Sequence, residues 1–364
     1  MSTILILGCG AAQAAIIIKA QKMGFKIIGV DKNPNAHTAK IVDIFICEST
    51  YCFKDLNKNP KFFLIDKING LLIKSSGFPV LTSSEIAKKF NIPNVPLKSV
   101  EVCIYKDRFK TFCKENKIFT ASSITLNELP SQSFLLEKGM EFPLVLRPAI
   151  SVKGKSNIYL IKNFDDLKIY FDQALRVPLN NKVILDRYID GIDYQILGFV
   201  EKSIFYQTSI LEEMNYFATD SKLYNIGFRT LDKFPDDSLK DKINNIISLL
   251  IKKLSIERSP LSISLRISTD KKYIFLVEIH LDLGGEYLID YFLPKSMNID
   301  ILKGAINASI GNINEIQNIQ IFPKAIIFND PRDRSSGYKI FSYNSFFELD
   351  EKIKDIKIEK KLIK

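Results

Sequence analysis

The chain opens on a short apolar run, Thr3 to Leu7, and then breaks into Gly8-Cys9-Gly10-Ala11-Ala12-Gln13. A stretch of small and aliphatic residues follows from Ala14 to Met23, Gly24 stops it, and a second apolar run, Lys26 to Val30, ends in Asp31. Brief apolar runs around a longer helical stretch predict a βαβ unit. Ile41 to Cys47 and Asn69 to Lys74 continue as strands, with Pro79 to Leu81 close behind. Thr82-Ser83-Ser84-Glu85 has the pattern of a capping box and predicts a helix to Phe90. Such alternation predicts a parallel sheet covered by helices. Ile92-Pro93-Asn94-Val95-Pro96 reads as the first domain boundary.

Beyond it, Lys106 to Lys117 predicts a helix, and Phe142 to Ala149 a strand that Pro148 closes. A basic loop, Ser151-Val152-Lys153-Gly154-Lys155-Ser156-Asn157, leads to a strand at Ile158 to Ile161 and a helix at Phe164 to Ala174. Lys182 to Leu185 and Tyr194 to Val200 read as strands around the turn Asp190-Gly191-Ile192-Asp193. A long loop carrying Asn215, Tyr216, Tyr224 and Arg229 precedes an amphipathic helix from Asp236 to Leu254. Leu261 to Ile267 and Tyr273 to Ile279 predict a hairpin, and Lys324 to Asn329 and Ser335 to Phe341 late strands.

Composition narrows the class. With 46% hydrophobic and 25% charged residues, 16 Gly and 14 Pro, the chain is globular rather than fibrous or disordered. At roughly 150 residues per domain, 364 residues imply two or three domains. No apolar stretch reaches the roughly 18 residues needed to span a bilayer, and Met1-Ser2-Thr3-Ile4-Leu5 lacks the basic start of a signal peptide. The net charge of +10 comes from dispersed lysines, which reads as a solvated surface and not as a nucleic-acid site. The five cysteines include no CxxC pair and read as reduced thiols, so a cytoplasmic location is expected.

Two glycines followed by a helix, with an acid closing the next strand, form part of a dinucleotide fingerprint. Gln13 stands where its third glycine belongs. From Ile6 to Ala36 the chain is instead similar to the Rossmann-like first domain of ATP-grasp enzymes, and the resemblance runs in consistent order to about residue 305. That superfamily activates a carboxylate with ATP and commonly joins it to an amine. Its first domain tends to help hold the acceptor rather than bind NAD.

Moving a phosphoryl group onto a carboxylate brings anions together, so cations must neutralise them. The resemblance puts Lys106 before the lid and Arg147, in Phe142-Pro143-Leu144-Val145-Leu146-Arg147-Pro148-Ala149, within it. Arginine replaces the usual lysine at 147. Lys155 and Ser156 fall in the flap over the phosphates. Val183-Ile184-Leu185-Asp186-Arg187-Tyr188-Ile189-Asp190-Gly191-Ile192-Asp193 resembles the adenine hinge. By that match Asp186 faces the adenine amine, the backbone of Tyr188 and Ile189 reads the ring edge, and Asp193 takes the ribose.

The metal hairpin departs from the pattern. In Val277-Glu278-Ile279-His280-Leu281-Asp282-Leu283-Gly284-Gly285, Glu278 and the glycines match, while His280 replaces Asn and Asp282 replaces Arg. Ser264 aligns with an expected acid on the preceding strand. Period-2 geometry puts Glu278, His280 and Asp282 on one face, so Glu278 with Asp282 is expected to hold Mg²⁺. His280 would act as a base or touch substrate, and Arg266 would offset Asp282 or clamp a substrate carboxylate.

The expected fold is α/β, with a Rossmann-like domain at residues 1–98 and a two-lobed ATP-grasp module at 99–310. The lid occupies about 120–183, and a C-terminal extension covers 311–364. The resemblance implies an ATP- and Mg²⁺-dependent ligase acting through an acyl phosphate on a small-molecule carboxylate and an amine. It implies no nucleic-acid or membrane partner and admits a homodimer. The alternative is an impaired nucleotide-binding relative acting as a scaffold or regulator.

Overall fold

Four parallel strands, β1 (Thr3–Leu7), β2 (Lys26–Asp31), β3 (Ile44–Cys47) and β4 (Gly70–Ile73), form a sheet in the order β3-β2-β1-β4. The computed structural model describes residues 2–150, 157–176, 181–234, 236–284, 287–313, 318–333 and 336–359. Helix α1 (Ala11–Lys22) connects β1 to β2. The fingerprint turn is closed on itself. The Cys9 N–H donates to Asp31 at 2.8 Å and the Asn33 N–H at 2.9 Å. A Cβ on Gly8 would sit 3.0 Å from the Gln13 side chain, so Gln13 fills the space above the turn. Asp31 thus braces its own loop.

Two local readings need correction. The strand expected from Ile41 starts only at Ile44. Pro79 to Leu81 is not a strand but the first turn of helix α2 (Phe78–Phe90). Gly77, at φ 81, lets the chain turn into this helix, and Pro79 sits where a missing N–H costs nothing. Thr82, Ser83 and Ser84 are therefore buried helix interior and do not cap. Ser83 donates to the Val80 carbonyl and Ser84 to the Val95 carbonyl, each at 2.7 Å.

Helix α3 (Lys106–Glu115) leads to a four-stranded antiparallel sheet in the region expected to form the lid, here called the lid sheet. It comprises β5 (Ser123–Leu126), β6 (Leu144–Pro148), β7 (Tyr159–Ile161) and β8 (Val183–Arg187), in the order β5-β8-β6-β7. Helix α4 (Phe164–Leu175) covers one face, where Leu144, Leu146, Phe171, Val183 and Leu185 make a small core.

The third sheet has seven antiparallel strands. These are β9 (Gly191–Glu201), β10 (Ile204–Phe217), β11 (Leu223–Thr230), β12 (Arg258–Ser268), β13 (Ile274–His280), β14 (Lys324–Phe328) and β15 (Tyr338–Ser342). Their order is β13-β12-β9-β10-β11-β14-β15. The amphipathic helix α5 (Asp237–Lys253) buries Ile243, Ile247 and Leu250 with Ile263 and Leu265 of β12. On the other face, Leu197 and Phe199 share a core with Ile4 and Ile6 of the parallel sheet and with helix α6 (Ile301–Ser309).

Asn215, Tyr216, Tyr224 and Arg229 lie in the β10–β11 hairpin, not in a loop. The tip of this hairpin is bonded to the lid. Leu223 N–H donates to the Ile158 carbonyl at 2.9 Å, Leu160 N–H donates to the Ser221 carbonyl at 2.8 Å, and Tyr159 bridges Lys222. Helix α7 (Phe346–Glu359) docks on the outer face through Leu349 and Ile353. Arg229 forks onto buried Glu212 at 2.8 and 2.6 Å and also pairs with Asp350. Among the described residues no helix is long and apolar enough to cross a membrane.

Candidate functional site

A cleft opens between the lid sheet and the large sheet. Strand alternation aims its lid residues. In β6, Leu144 and Leu146 enter the lid core, which turns Val145 and Arg147 to the cleft; in β8, Val183 and Leu185 do the same for Asp186. The opposite wall carries Phe275 and Leu276 of β13 and Arg266 and Ser264 of β12. Val145, Ile158 and Leu223 add apolar surface on which a flat ring can rest.

Arg147 is nearly buried, and its Nε lies 2.7 Å from Asp186 Oδ2. The other oxygen of Asp186 is 2.8 Å from Lys110 Nζ, which also donates to the Ala121 carbonyl at 2.9 Å. Burial alone would raise the pKa of Asp186, but Arg147 and Lys110 outweigh it and hold the carboxyl below its usual range. Both of its oxygens are thus turned to cations rather than to a base. Lys110 was missed in the sequence. Its signal was present, because Lys106 and Lys110 share a face of α3 at i, i+4 spacing. Lys106 lies 3.9 Å from Glu278, and burial, partly opposed by Glu278, lowers its pKa to about 8.

At the hinge, the Tyr188 N–H donates to the Pro143 carbonyl at 3.2 Å, and its ring meets Phe217 edge-on at 6.2 Å. Ile189 lines the cleft. Arg266 sits directly opposite Asp193 in the β12–β9 register. It grips Asp193 through Nε at 2.7 Å and Nη2 at 2.6 Å, and donates to the Ile189 carbonyl at 3.1 Å. This corrects the expectation that it offsets Asp282, which lies past the end of β13. Asn215 adds a bond to Asp193 at 2.7 Å. Glu213, also unread in the sequence, stands opposite Asp193 on β10, lines the cleft and accepts from Asn225 at 3.2 Å.

Glu278 pairs across β12–β13 with Ser264, and both line the cleft. His280 Nε2 is 3.2 Å from Glu278 Oε1. Burial depresses the imidazole, but Glu278 prevails and raises its pKa. Asp282 is not in this cleft. It lines a small adjoining cavity together with Ser76, Gly77, Lys106, Glu278 and His280. Arg147 and Glu278 therefore share one cavity, and Lys106 and Glu278 the next. Lys155, Ser156 and Gly285 lie outside the described residues.

Among the described residues, no group of three or more His, Cys, Asp and Glu is placed to hold a metal ion. Glu278 is a hard oxygen donor at the cleft wall, which suits Mg²⁺ when phosphates and water complete the coordination. The site fits a metal that arrives with a nucleotide.

No family model matches the chain. It is 21% identical over 255 residues to the carbamoyl phosphate synthase large chain of Clostridium perfringens (strain SM101 / Type A), covering 67% of this chain and 22% of that one. It is 27% identical over 200 residues to the formate-dependent phosphoribosylglycinamide formyltransferase of Prochlorococcus marinus (strain MIT 9515), covering 53% and 48%. The chain thus spans less than half the length of these two relatives. Among solved structures it resembles N5-carboxyaminoimidazole synthetase from Staphylococcus aureus complexed with ADP, with TM-score 0.74, 13% identity and coverage of 97% and 96%. L-amino acid ligase from Bacillus licheniformis follows at TM-score 0.72, 14% identity and coverage of 91% and 80%.

Proposed function

Since this chain has the ATP-grasp fold, we propose that it binds ATP between its lid sheet and its large sheet and joins a small-molecule carboxylate to an amine. The observation that supports this reading is the convergence of Lys110 and Arg147 on a cleft walled by apolar side chains and edged by Glu278, with Lys106 3.9 Å from Glu278 in the adjoining cavity. A planar base rests against Phe275, Leu276 and Val145, with the hinge backbone at Tyr188 and Ile189 along its edge. Asp193 and Glu213 face the ribose, and Arg266 with Asn215 holds Asp193 in place. Asp186 acts as an electrostatic hub that fixes Arg147, and the base edge is left to the hinge backbone.

Lys106 and Arg147 draw the phosphates and the incoming carboxylate together against their mutual repulsion. Glu278 would hold Mg²⁺, which when bound supplies positive charge to the phosphate oxygens. The carboxylate attacks the γ-phosphorus in line and expels ADP; the amine then attacks the acyl carbon, phosphate leaves and the amine's proton is lost to solvent. The closed walls keep water from that acyl group.

A screen of pooled acids and amines for ATP-dependent ADP formation tests the proposal. One pool is expected to turn over, and Arg147→Ala to lower the rate by at least about 100-fold. ADP formed equally well by the variant would overturn the assignment of the cleft. Tight nucleotide binding with no turnover in any pool would point to a nucleotide-binding scaffold instead.

A further inference from the structure

The adjoining cavity is built from three separate parts of the fold. These are the Ser76-Gly77 turn leading into α2, the chain around Cys103, Ile104 and Lys106, and the stretch from Glu278 to Asp282. Glu278 borders both this cavity and the nucleotide cleft, so a molecule held here lies next to the phosphates. The charges along it are not uniform. Lys106, at the Glu278 side, brings a cation that favours a carboxylate. The facing turn opens α2, a helix start with no side-chain cap and no acid in its first turn.

Asp282 lies four positions beyond Glu278, and its surroundings are unusual for a carboxylate. It is only 4% exposed. Its hydrogen bond comes from the Gly284 N–H at 2.7 Å, and it forms no ion pair among the described residues. Burial raises its pKa and Glu278 adds to the rise, while His280 and the Gly284 N–H oppose it. A buried carboxylate with no ion pair is costly and favours a cation brought by a ligand. Val80, Ile104, Ile279 and Leu281 add apolar walls, and His280 lines the cavity between Glu278 and Asp282.

We infer that this cavity binds a small free amino acid, with its carboxylate toward Lys106 and the nucleotide cleft and its ammonium against Asp282. The inference rests on the ligase reading only for the fate of that carboxylate, which becomes the group activated by ATP. The ammonium is the anchor and takes no part in that step. Asp282 is then a substrate-recognition residue rather than a metal ligand.

Isothermal titration of the full chain with glycine, L-alanine, β-alanine and 4-aminobutyrate, against propionate and propylamine, tests it. At least one amino acid is expected to bind at least tenfold more tightly than both single-charge probes. Asp282→Asn is expected to cost that amino acid tenfold or more in affinity while propionate and a non-hydrolysable ATP analogue bind as before. Propionate binding as well as every amino acid, or no amino acid binding, overturns the inference without any variant. An unchanged amino-acid affinity in Asp282→Asn does the same. Failure of the ATP analogue to bind overturns the ligase reading instead and leaves the amino-acid comparison readable.

Discussion

Lys110 and Asp186 form a buried pair, 2.8 Å apart, that joins helix α3 to the lid strand β8. Arg147 occupies the opposite oxygen at 2.7 Å, so one carboxylate is divided between two cations. That division keeps Arg147 from being fully neutralised and leaves positive potential facing the cleft. Lys110→Met removes one of the two partners. It is expected to cost about 2 kcal/mol of stability, the scale of a hydrogen bond to a charged group, and to weaken nucleotide binding severalfold. Urea unfolding and titration of an ATP analogue read the two effects. Unchanged values in both would remove Lys110 from the site.

The same triad predicts a pH dependence. The native pKa of Asp186 is below its ordinary 3.8, because Arg147 and Lys110 outweigh burial. The unfolded chain therefore binds the proton more readily, and stability rises with pH in that window. The contribution is complete above 3.8 and is lost as the pH falls through the lower native value. Asp186→Asn is expected to be less stable than the parent near neutrality, with the gap closing in acid. A gap that stays constant across the titration would contradict this sign.

Arg266 braces the hinge from the large sheet. Replacing it with alanine frees the Ile189 carbonyl and leaves Asp193 with Asn215. The expected result is a rise of about ten- to 100-fold in KM for ATP, or ~1.4–2.8 kcal/mol, with little change in kcat. Arg266→Lys is not expected to rescue it, since an ammonium cannot fork onto both oxygens of Asp193. A loss confined to kcat would mean that Arg266 touches the reacting groups.

On the outer face, Arg229 neutralises Glu212, which is 1% exposed. Arg229→Leu removes the forked cation from that buried charge, at an expected cost of about 3–5 kcal/mol. Adding Glu212→Gln should recover much of the loss. Chemical denaturation of both variants checks it, and a single-variant loss no larger than at an ordinary surface site would refute the buried-charge argument.

Much of the cleft was legible because phosphate chemistry demands cations and strands alternate. Arg147 and Glu278 fall on cleft-facing positions of β6 and β13, and the hairpin of β12 and β13 was visible from its turn. Other parts were hidden by local ambiguity. The pattern Thr82-Ser83-Ser84-Glu85 looks like a helix start, yet Gly77 and Pro79 begin the helix earlier. Glu212 and Glu213 break the polar rhythm of β10, so a strand was read as a loop. They face opposite sides of the sheet, one toward Arg229 and one toward the cleft. The engagement of Arg266 with Asp193 depends on β12–β9 register, which a single sequence does not encode visibly. Glu278, His280 and Asp282 line one cavity as period-2 alternation expects, although β13 ends at His280 and Asp282 lies outside the nucleotide cleft.

The bonds between Ile158–Leu160 and Ser221–Leu223 stitch the edge of the lid to a hairpin that belongs to the large sheet. A lid that swung alone would have to tear that seam each time a nucleotide entered or left. Any movement of the lid would have to carry the tip of β10 and β11 with it. The bulge between Met214 and Asn215 lies partway down that hairpin, beside Asp193.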